Sequence, residues 1–174
     1  MTNFELLPIG NEEPIVLLTG SNEGNSKDIL LNAKRDVTNI LDADPLVSSL
    51  YQSPPWGFMA ENNFLNQALI FTSAIEINPL ALLHRLLDIE RSHGRERKRE
   101  TGYQSRTLDI DIILIGDRRI NHPSLVVPHP KIQERRFVLE PICELMPDIV
   151  HPVYNKPFSE LLRECDDPSE VTRI

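Results

Sequence analysis

Asp109 and Asp111 stand two residues apart in Arg106-Thr107-Leu108-Asp109-Ile110-Asp111-Ile112-Ile113-Leu114-Ile115-Gly116, a run otherwise apolar and β-branched. Such a run predicts a strand. Side chains alternate faces along a strand, so both carboxylates project from one face, roughly 6–7 Å apart at Cβ. Leu108, Ile110 and Ile112 then point the other way, into a core. Two negative charges side by side at the mouth of a buried strand repel each other, and a cation between them relieves the repulsion. Magnesium suits such a pair, because it takes few carboxylates and completes its shell with water and phosphate oxygens. Two ions about 3.5–4 Å apart would clamp an in-line phosphoryl displacement. A bare D-x-D is short, however, and alone it also describes two charges on the solvent face of an edge strand.

Upstream lies a basic segment in which Arg91, Arg95, Arg97, Lys98, Arg99 and Arg106 outnumber Glu96 and Glu100, a local balance of +4 in a chain whose total is −8. Guanidinium groups grip phosphate oxygens bidentately and stay charged, which suits a triphosphate whose charge moves during reaction. Gly94 and Gly102 bracket the segment as hinges of a lid that would exclude water. A hard-cation site beside a polyanion site indicates a magnesium–nucleotide enzyme. Thr19-Gly20-Ser21-Asn22-Glu23-Gly24 lacks both the G-x-x-x-x-G-K-[ST] and G-x-G-x-x-G patterns, so it reads as a turn lining the pocket.

Ser53-Pro54-Pro55-Trp56-Gly57 and Phe64-Leu65-Asn66 offer different chemistry. Two prolines set the backbone, aromatic rings stand nearby, and the Asn66 carboxamide both donates and accepts. A flat heteroaromatic substrate would slot between the rings, although on sequence alone Phe64 reads first as a core residue. In Val127-Pro128-His129-Pro130, followed by Arg135-Arg136-Phe137, an imidazole sits between prolines. None of the five histidines has zinc-site spacing, so His129 reads as a phosphate donor with Arg135 adding charge.

The elements that must position these groups follow from periodicity. Pro14–Thr19 reads as a buried strand, with a helix from Asn25 or Ser26 to Leu41 that keeps Ile29, Leu30, Ala33, Val37, Ile40 and Leu41 on one face. Leu46–Gln52 and Phe64–Ile75 read as strands. Asn78-Pro79 opens a helix ending at Gly94. The aspartate strand is expected to turn back as a hairpin through Gly116-Asp117-Arg118, with helices over Phe137–Met146 and Phe158–Cys165. Helices interleaved with strands indicate an α/β or α+β sandwich with a mixed or antiparallel sheet. At 174 residues and 40% hydrophobic composition, residues 14–174 are expected to form one domain behind a loose acidic leader at 1–13. The acidic total argues against nucleic acid and membrane surfaces as partners. No apolar run of about 18 residues and no signal peptide are expected, and Cys143 and Cys165 read as reduced thiols of a cytoplasmic protein.

In register and in one order, the chain carries GSN (Gly20–Asn22), Y-x-[ST]-P-P-x-G (Tyr51–Gly57), FLNQA (Phe64–Ala68), Glu90 with G-R-x-R (Gly94–Arg97), RTLDIDI (Arg106–Ile112) and VPHP…RRFVLEP (Val127–Pro141). With these motifs it closely resembles the 6-hydroxymethyl-7,8-dihydropterin pyrophosphokinases of folate biosynthesis. The resemblance implies a monomeric, ferredoxin-like α+β fold. It also implies transfer of pyrophosphate from ATP to the pterin hydroxymethyl oxygen, with two magnesium ions on Asp109 and Asp111. On the same resemblance Phe64 and Phe137 sandwich the pterin, while Ser53, Asn66 and the backbone of Pro54, Pro55, Trp56 and Gly57 hydrogen-bond it. Glu90, Arg97, Arg106, Ile112, His129 and Arg135 face ATP. Arg95 and Arg106 join the aspartates in catalysis, and Asp109 is a candidate acceptor of the hydroxyl proton. The chain departs from the family between R-x-R and RTLDID, where Thr101-Gly102-Tyr103-Gln104-Ser105 is one position longer. Tyr103 there stands for a tryptophan, the second lid arginine has no clean counterpart, with Arg99 a candidate substitute, and Pro130 occupies a tyrosine-like position. A metal-dependent glycosyltransferase and a non-catalytic nucleotide–pterin sensor are the rival readings of the same residues.

Overall fold

The computed structural model describes residues 8–10, 13–72, 75–94 and 105–174. β1 (Pro14–Ser21) is buried along nearly its whole length. Ile15 and Leu17 enter one apolar cluster while Val16 and Leu18 enter a second on the opposite side of the sheet. A strand covered on both faces has no polar side, which explains a continuous apolar run where a half-exposed strand would alternate. α1 (Ser26–Leu41) buries Leu30, Ala33, Val37 and Leu41, with Ile29 and Ile40 packed at the margin.

The predicted strand at 46–52 is two short strands, β2 (Leu46–Val47) and β3 (Tyr51–Ser53), both paired with β4 (Phe64–Thr72). The interruption has a tertiary cause. The Ser49 amide and hydroxyl leave the ladder and donate to the Glu144 carboxylate at 2.9 and 2.8 Å. α2 (Pro79–Ser92) begins as predicted: the Asn78 side chain accepts from the Leu80 amide at 2.9 Å, and proline occupies the first turn. It ends at Gly94, whose φ of +83° closes the last turn in a conformation that disfavours any side chain.

β5 (Asp109–Ile115) carries the aspartates. The turn at Gly116-Asp117 forms, with the Arg118 amide donating to the Ile115 carbonyl, but the predicted hairpin does not. β6 (Ile120–His122) pairs with β7 (Leu125–Val127) as a separate ribbon. Beyond it come α3 (Arg136–Leu145), the β8 (Val150–His151) and β9 (Lys156–Pro157) ribbon, α4 (Phe158–Glu164) and β10 (Thr172–Arg173).

The main sheet runs β10-β3-β4-β1-β5 with β2 also on β4, and every pairing is antiparallel. Within it, the β1-α1-β3-β4-α2-β5 path with strand order β3-β4-β1-β5 is ferredoxin-like α+β. α1 and α2 cover one face, and α3 and α4 cover the other. Cys143 and Cys165 are free thiols on that second side. The N-terminal leader is not loose where it is described. Ile9 is fully buried and bridges Ile77, and Arg118 holds both Glu13 and the Pro8 carbonyl.

β5 is the last strand of the sheet, so its outer backbone groups need other partners. The His129 amide donates to the Ile113 carbonyl at 3.0 Å. The Ile110 amide donates to Oε1 of Glu90 at 2.8 Å, and that glutamate is 2% exposed. Glu90 therefore braces the aspartate strand from the α2 side. Replacing it with alanine strips a buried amide of its acceptor, a loss of about 1–3 kcal/mol. At roughly 2–4 °C per kcal/mol, Glu90→Ala is expected to melt several degrees below wild type, with Glu90→Gln close to wild type because it retains an oxygen. A Glu90→Ala variant with unchanged melting but a raised KM for nucleotide would assign the residue to ATP instead.

Candidate active site

The pairing of β1 with β5 puts Gly20 opposite Asp109 and Leu18 opposite Asp111. Both aspartates therefore lie on the α3 side of the sheet, while Leu108, Ile110 and Ile112 pack into the cluster beneath α1 and α2. A bulge opposite Val16 and Leu17 reverses this alternation, so Ile113 and Leu114 both face the α3 side and Ile115 returns to the first cluster. The carboxylates sit just before the bulge, at the open end of the strand.

There they line a cavity with Leu18, Gly20, Ser53, Pro54, Trp56, Phe58, Phe64, Asn66, Arg106, His129, Arg135 and Phe137. Residues from β1, β3, β4, β5 and the start of α3 thus converge on one place. Phe64 is a wall of this cavity and only partly buried, not a core residue. Asn66 is 2% exposed and donates from Nδ2 to the Ser53 hydroxyl at 2.9 Å. Gly20 makes this possible by close approach: a Cβ there would stand 3.3 Å from the Asn66 carboxamide oxygen and 3.8 Å from the Phe64 ring.

The electrostatics divide the cavity in two. Burial, and next the neighbouring Asp109 carboxylate, push the Asp111 acid up to about 7, against the pull of Arg135 and Arg106. Arg106 pairs with Asp109 directly. The Arg135 guanidinium is 5% exposed and lies over the Trp56 ring at 4.7 Å and the Phe137 ring at 5.8 Å. Lys131 adds a second cation over Trp56 at 5.4 Å. Burial and Arg135 hold the His129 imidazole down at about 4, so it is neutral near pH 7. Its Nδ1 accepts from the Lys131 amide at 3.3 Å, which leaves the ring proton on Nε2 as a donor.

The donor set fits magnesium. Two carboxylates share one polar cavity, one of them an acid whose ionisation is suppressed by burial and by its neighbour's charge. Among the described residues no group of three ligating side chains exists that would favour zinc.

Of the sequence candidates, Ser53, Pro54, Trp56, Phe64, Asn66, Arg106, Asp109, Asp111, His129, Arg135 and Phe137 meet at the cavity. Pro55 and Gly57 shape its loop, Gly57 through a φ of +77°, without lining it. Ile112 is 5% exposed, with its side chain in the core and its backbone paired to Leu17. Glu90 lies outside the cavity in the bracing role described above. Arg95, Arg97, Lys98, Arg99, Gly102 and Tyr103 lie outside the described residues.

Sequence reasoning missed Phe58, which meets Phe64 edge-on at 6.1 Å, and Asn22. The Asn22 side chain accepts from the Arg106 amide at 2.7 Å and donates to Ser105 at 3.0 Å, while its own amide donates to the Arg106 carbonyl at 3.1 Å. It ties the approach to β5 onto the end of β1. The signal for it was a carboxamide directly after a buried strand, a position that otherwise calls for a turn residue.

The family model for 7,8-dihydro-6-hydroxymethylpterin-pyrophosphokinase (HPPK) matches residues 16–147. The chain is 33% identical over 150 residues to the 2-amino-4-hydroxy-6-hydroxymethyldihydropteridine pyrophosphokinase of Aquifex aeolicus, covering 86% of this chain and 91% of that protein. To the enzyme of that name from Methylorubrum extorquens it is 34% identical over 160 residues, 89% of this chain and 94% of the other. In fold it is similar to the crystal structure of wild-type Plasmodium falciparum HPPK-DHPS with pteroate, at a TM-score of 0.68 and 14% identity. The match covers 87% of this chain but 42% of that longer one. Motifs, fold and relatives agree: the chain belongs to the 7,8-dihydro-6-hydroxymethylpterin-pyrophosphokinase family.

Proposed function

We propose that the protein transfers the β,γ-pyrophosphate of ATP to the hydroxymethyl oxygen of 6-hydroxymethyl-7,8-dihydropterin, a step of folate biosynthesis, with magnesium held by Asp109 and Asp111. One observation carries this reading: the aromatic slot and the aspartate pair open into the same cavity. In the slot, Phe64 and Phe137 take the ring faces, and the Ser53–Asn66 pair with the Pro54–Trp56 backbone takes the ring edge. Magnesium, when bound, offsets charge on the phosphate oxygens. Arg106, His129 and Arg135 meet the phosphates, and Arg95 and Arg97 supply further charge from the basic segment.

The pterin oxygen forms a bond to the β-phosphorus as the bond to AMP breaks, and gives up its hydroxyl proton, for which Asp109 is the candidate acceptor. Little covalent chemistry falls to the protein, so in-line positioning and preorganised positive charge carry the acceleration. The protein acts as a monomer in the cytoplasm on this reading. No helix among the described residues is long and apolar enough to cross a membrane.

Incubation with ATP, magnesium and hydroxymethyldihydropterin is expected to yield AMP only when the pterin is present. ADP as product, or tight binding without AMP, overturns the proposal. Asp109→Ala and Asp111→Ala are each expected to lower turnover by at least about 10²–10³-fold with an unchanged circular dichroism spectrum. An unfolded variant would make the pair structural.

Arg95→Ala is expected to lower kcat far more than it raises the KM for ATP. Equal changes would indicate an anchor that grips ground state and transition state alike.

Asp111 also links stability to pH. Its folded acid titrates near 7 and its unfolded one near the ordinary 3.8, so the native state holds the extra proton between them. Stability of the metal-free protein therefore falls as pH rises through that window and stays reduced above it. Asp111→Asn is expected to remove this slope and to raise the metal-free melting temperature at pH 8. Magnesium should then stabilise wild type and not the variant. Parallel melting curves from pH 4 to 8 would refute the linkage.

A further inference from the structure

The chain past residue 147 lies outside the matched family segment, yet it is bonded to both walls of the aromatic slot. One wall is β3 and its extension, which carry Ser53, Pro54 and Trp56, together with Phe64 of β4, which pairs with Ser53. The other is the start of α3, which carries Arg135 and Phe137. Residue 135 provides no side-chain cap for α3, and an uncapped helix leaves its first amides without acceptors.

Asp167 supplies the missing acceptor from the far end of the chain. Its Oδ2 accepts from the Arg136 amide at 3.0 Å while Oδ1 accepts from the Ser169 amide at 3.0 Å, and the residue is 9% exposed. Arg136 returns the contact, donating from its guanidinium to the carbonyls of Asp167 and Cys165 at 3.2 and 3.4 Å. Five residues on, β10 pairs Thr172 with Gln52 and Arg173 with Tyr51, and the Ile174 amide donates to the Leu50 carbonyl at 2.9 Å. Arg173 also pairs with Glu144 of α3 at 3.1 Å, the same carboxylate that holds Ser49 before β3.

We propose that this C-terminal strap, residues 165–174, sets the spacing of the slot, with Asp167 as the positioning residue for Phe137 and Arg135. One short segment crosses from the first residue of α3 to the strand that ends in Ser53, and so ties the cavity end of both walls, while the Ser49–Glu144 bonds tie the far end of α3. The proposal rests on the reading of the slot as the pterin site. Asp167 touches no cavity residue except through the Arg136 backbone and side chain, so it acts on placement and not on chemistry.

Trp56 is the sole tryptophan of the chain, and its ring carries Arg135, so its fluorescence reports the seating of α3 against the loop. Asp167→Ala is expected to raise the Kd and KM for hydroxymethyldihydropterin about three- to tenfold, the scale of a lost helix cap, with kcat at saturation changed less. The Trp56 emission of the ligand-free protein should shift. Asp167→Asn keeps an acceptor for the Arg136 amide and should restore most of both. Should Asp167→Ala fail to fold, removal of Thr172–Ile174 leaves the cap in place while detaching β10, and the same KM should rise about two- to fivefold. Wild-type protein that binds no pterin overturns the functional reading and this proposal together. Pterin binding by wild type, with an unchanged KM in a strap variant that only melts earlier, overturns the proposal alone.

Discussion

Two carboxylates on one face of a strand, with apolar layers on both sides of the sheet, are in electrostatic conflict that the fold only half relieves. Asp111 sits where water is scarce and Asp109 stands beside it, so the pair cannot be fully ionised without positive charge close by. Arg106 engages Asp109 and Arg135 reaches Asp111 through its field. The remaining deficit of positive charge is one that a hard cation would satisfy. Keeping that conflict in place requires a strand that cannot slip, since a shift of one residue would turn both acids into the core. The ladder to β1 holds its inner edge, Glu90 and His129 hold its outer edge, and Asn22 holds its approach.

The third layer converts a sheet face into a site. In the ferredoxin-like unit alone, the aspartates would look out from an edge strand into solvent. α3 and α4 cover the far part of that face with Val138, Leu139, Ile142, Phe158 and Leu161 and stop short of the strand ends. The uncovered remainder becomes the cavity. Its rim is made by the first residues of α3 on one side and the proline-rich loop after β3 on the other. Arg135 lies between the Trp56 and Phe137 rings while its charge acts on Asp111 and His129. It belongs physically to both halves of the cavity, the aromatic wall and the charged end.

How much of this was legible in the sequence differs by feature. The buried β1, both long helices and the aspartate strand follow from local pattern, because apolar periodicity and the Asn-Pro and Gly signals at helix ends are set by neighbours in the chain. Leu46–Gln52 was misread as one strand because the interruption comes from Glu144, nearly a hundred residues away. The expected hairpin after Gly116 has its turn but lacks its pairing, since β7 competes for β6. Ile9 seemed part of a loose leader because nothing local shows that Ile77 will cover it.

The same division holds at the site. Residue types and spacing determined that Asp109 and Asp111 share a face, because that depends on backbone geometry within a few residues. That Phe64 lines the cavity, that Glu90 accepts from an amide of β5, and which residue caps α3 were decided only in three dimensions. Those questions turn on what packs against a side chain from elsewhere in the chain. A residue's own type states what it can bond to, whereas the partner that reaches it is chosen by the register of the sheet and the layer laid over it.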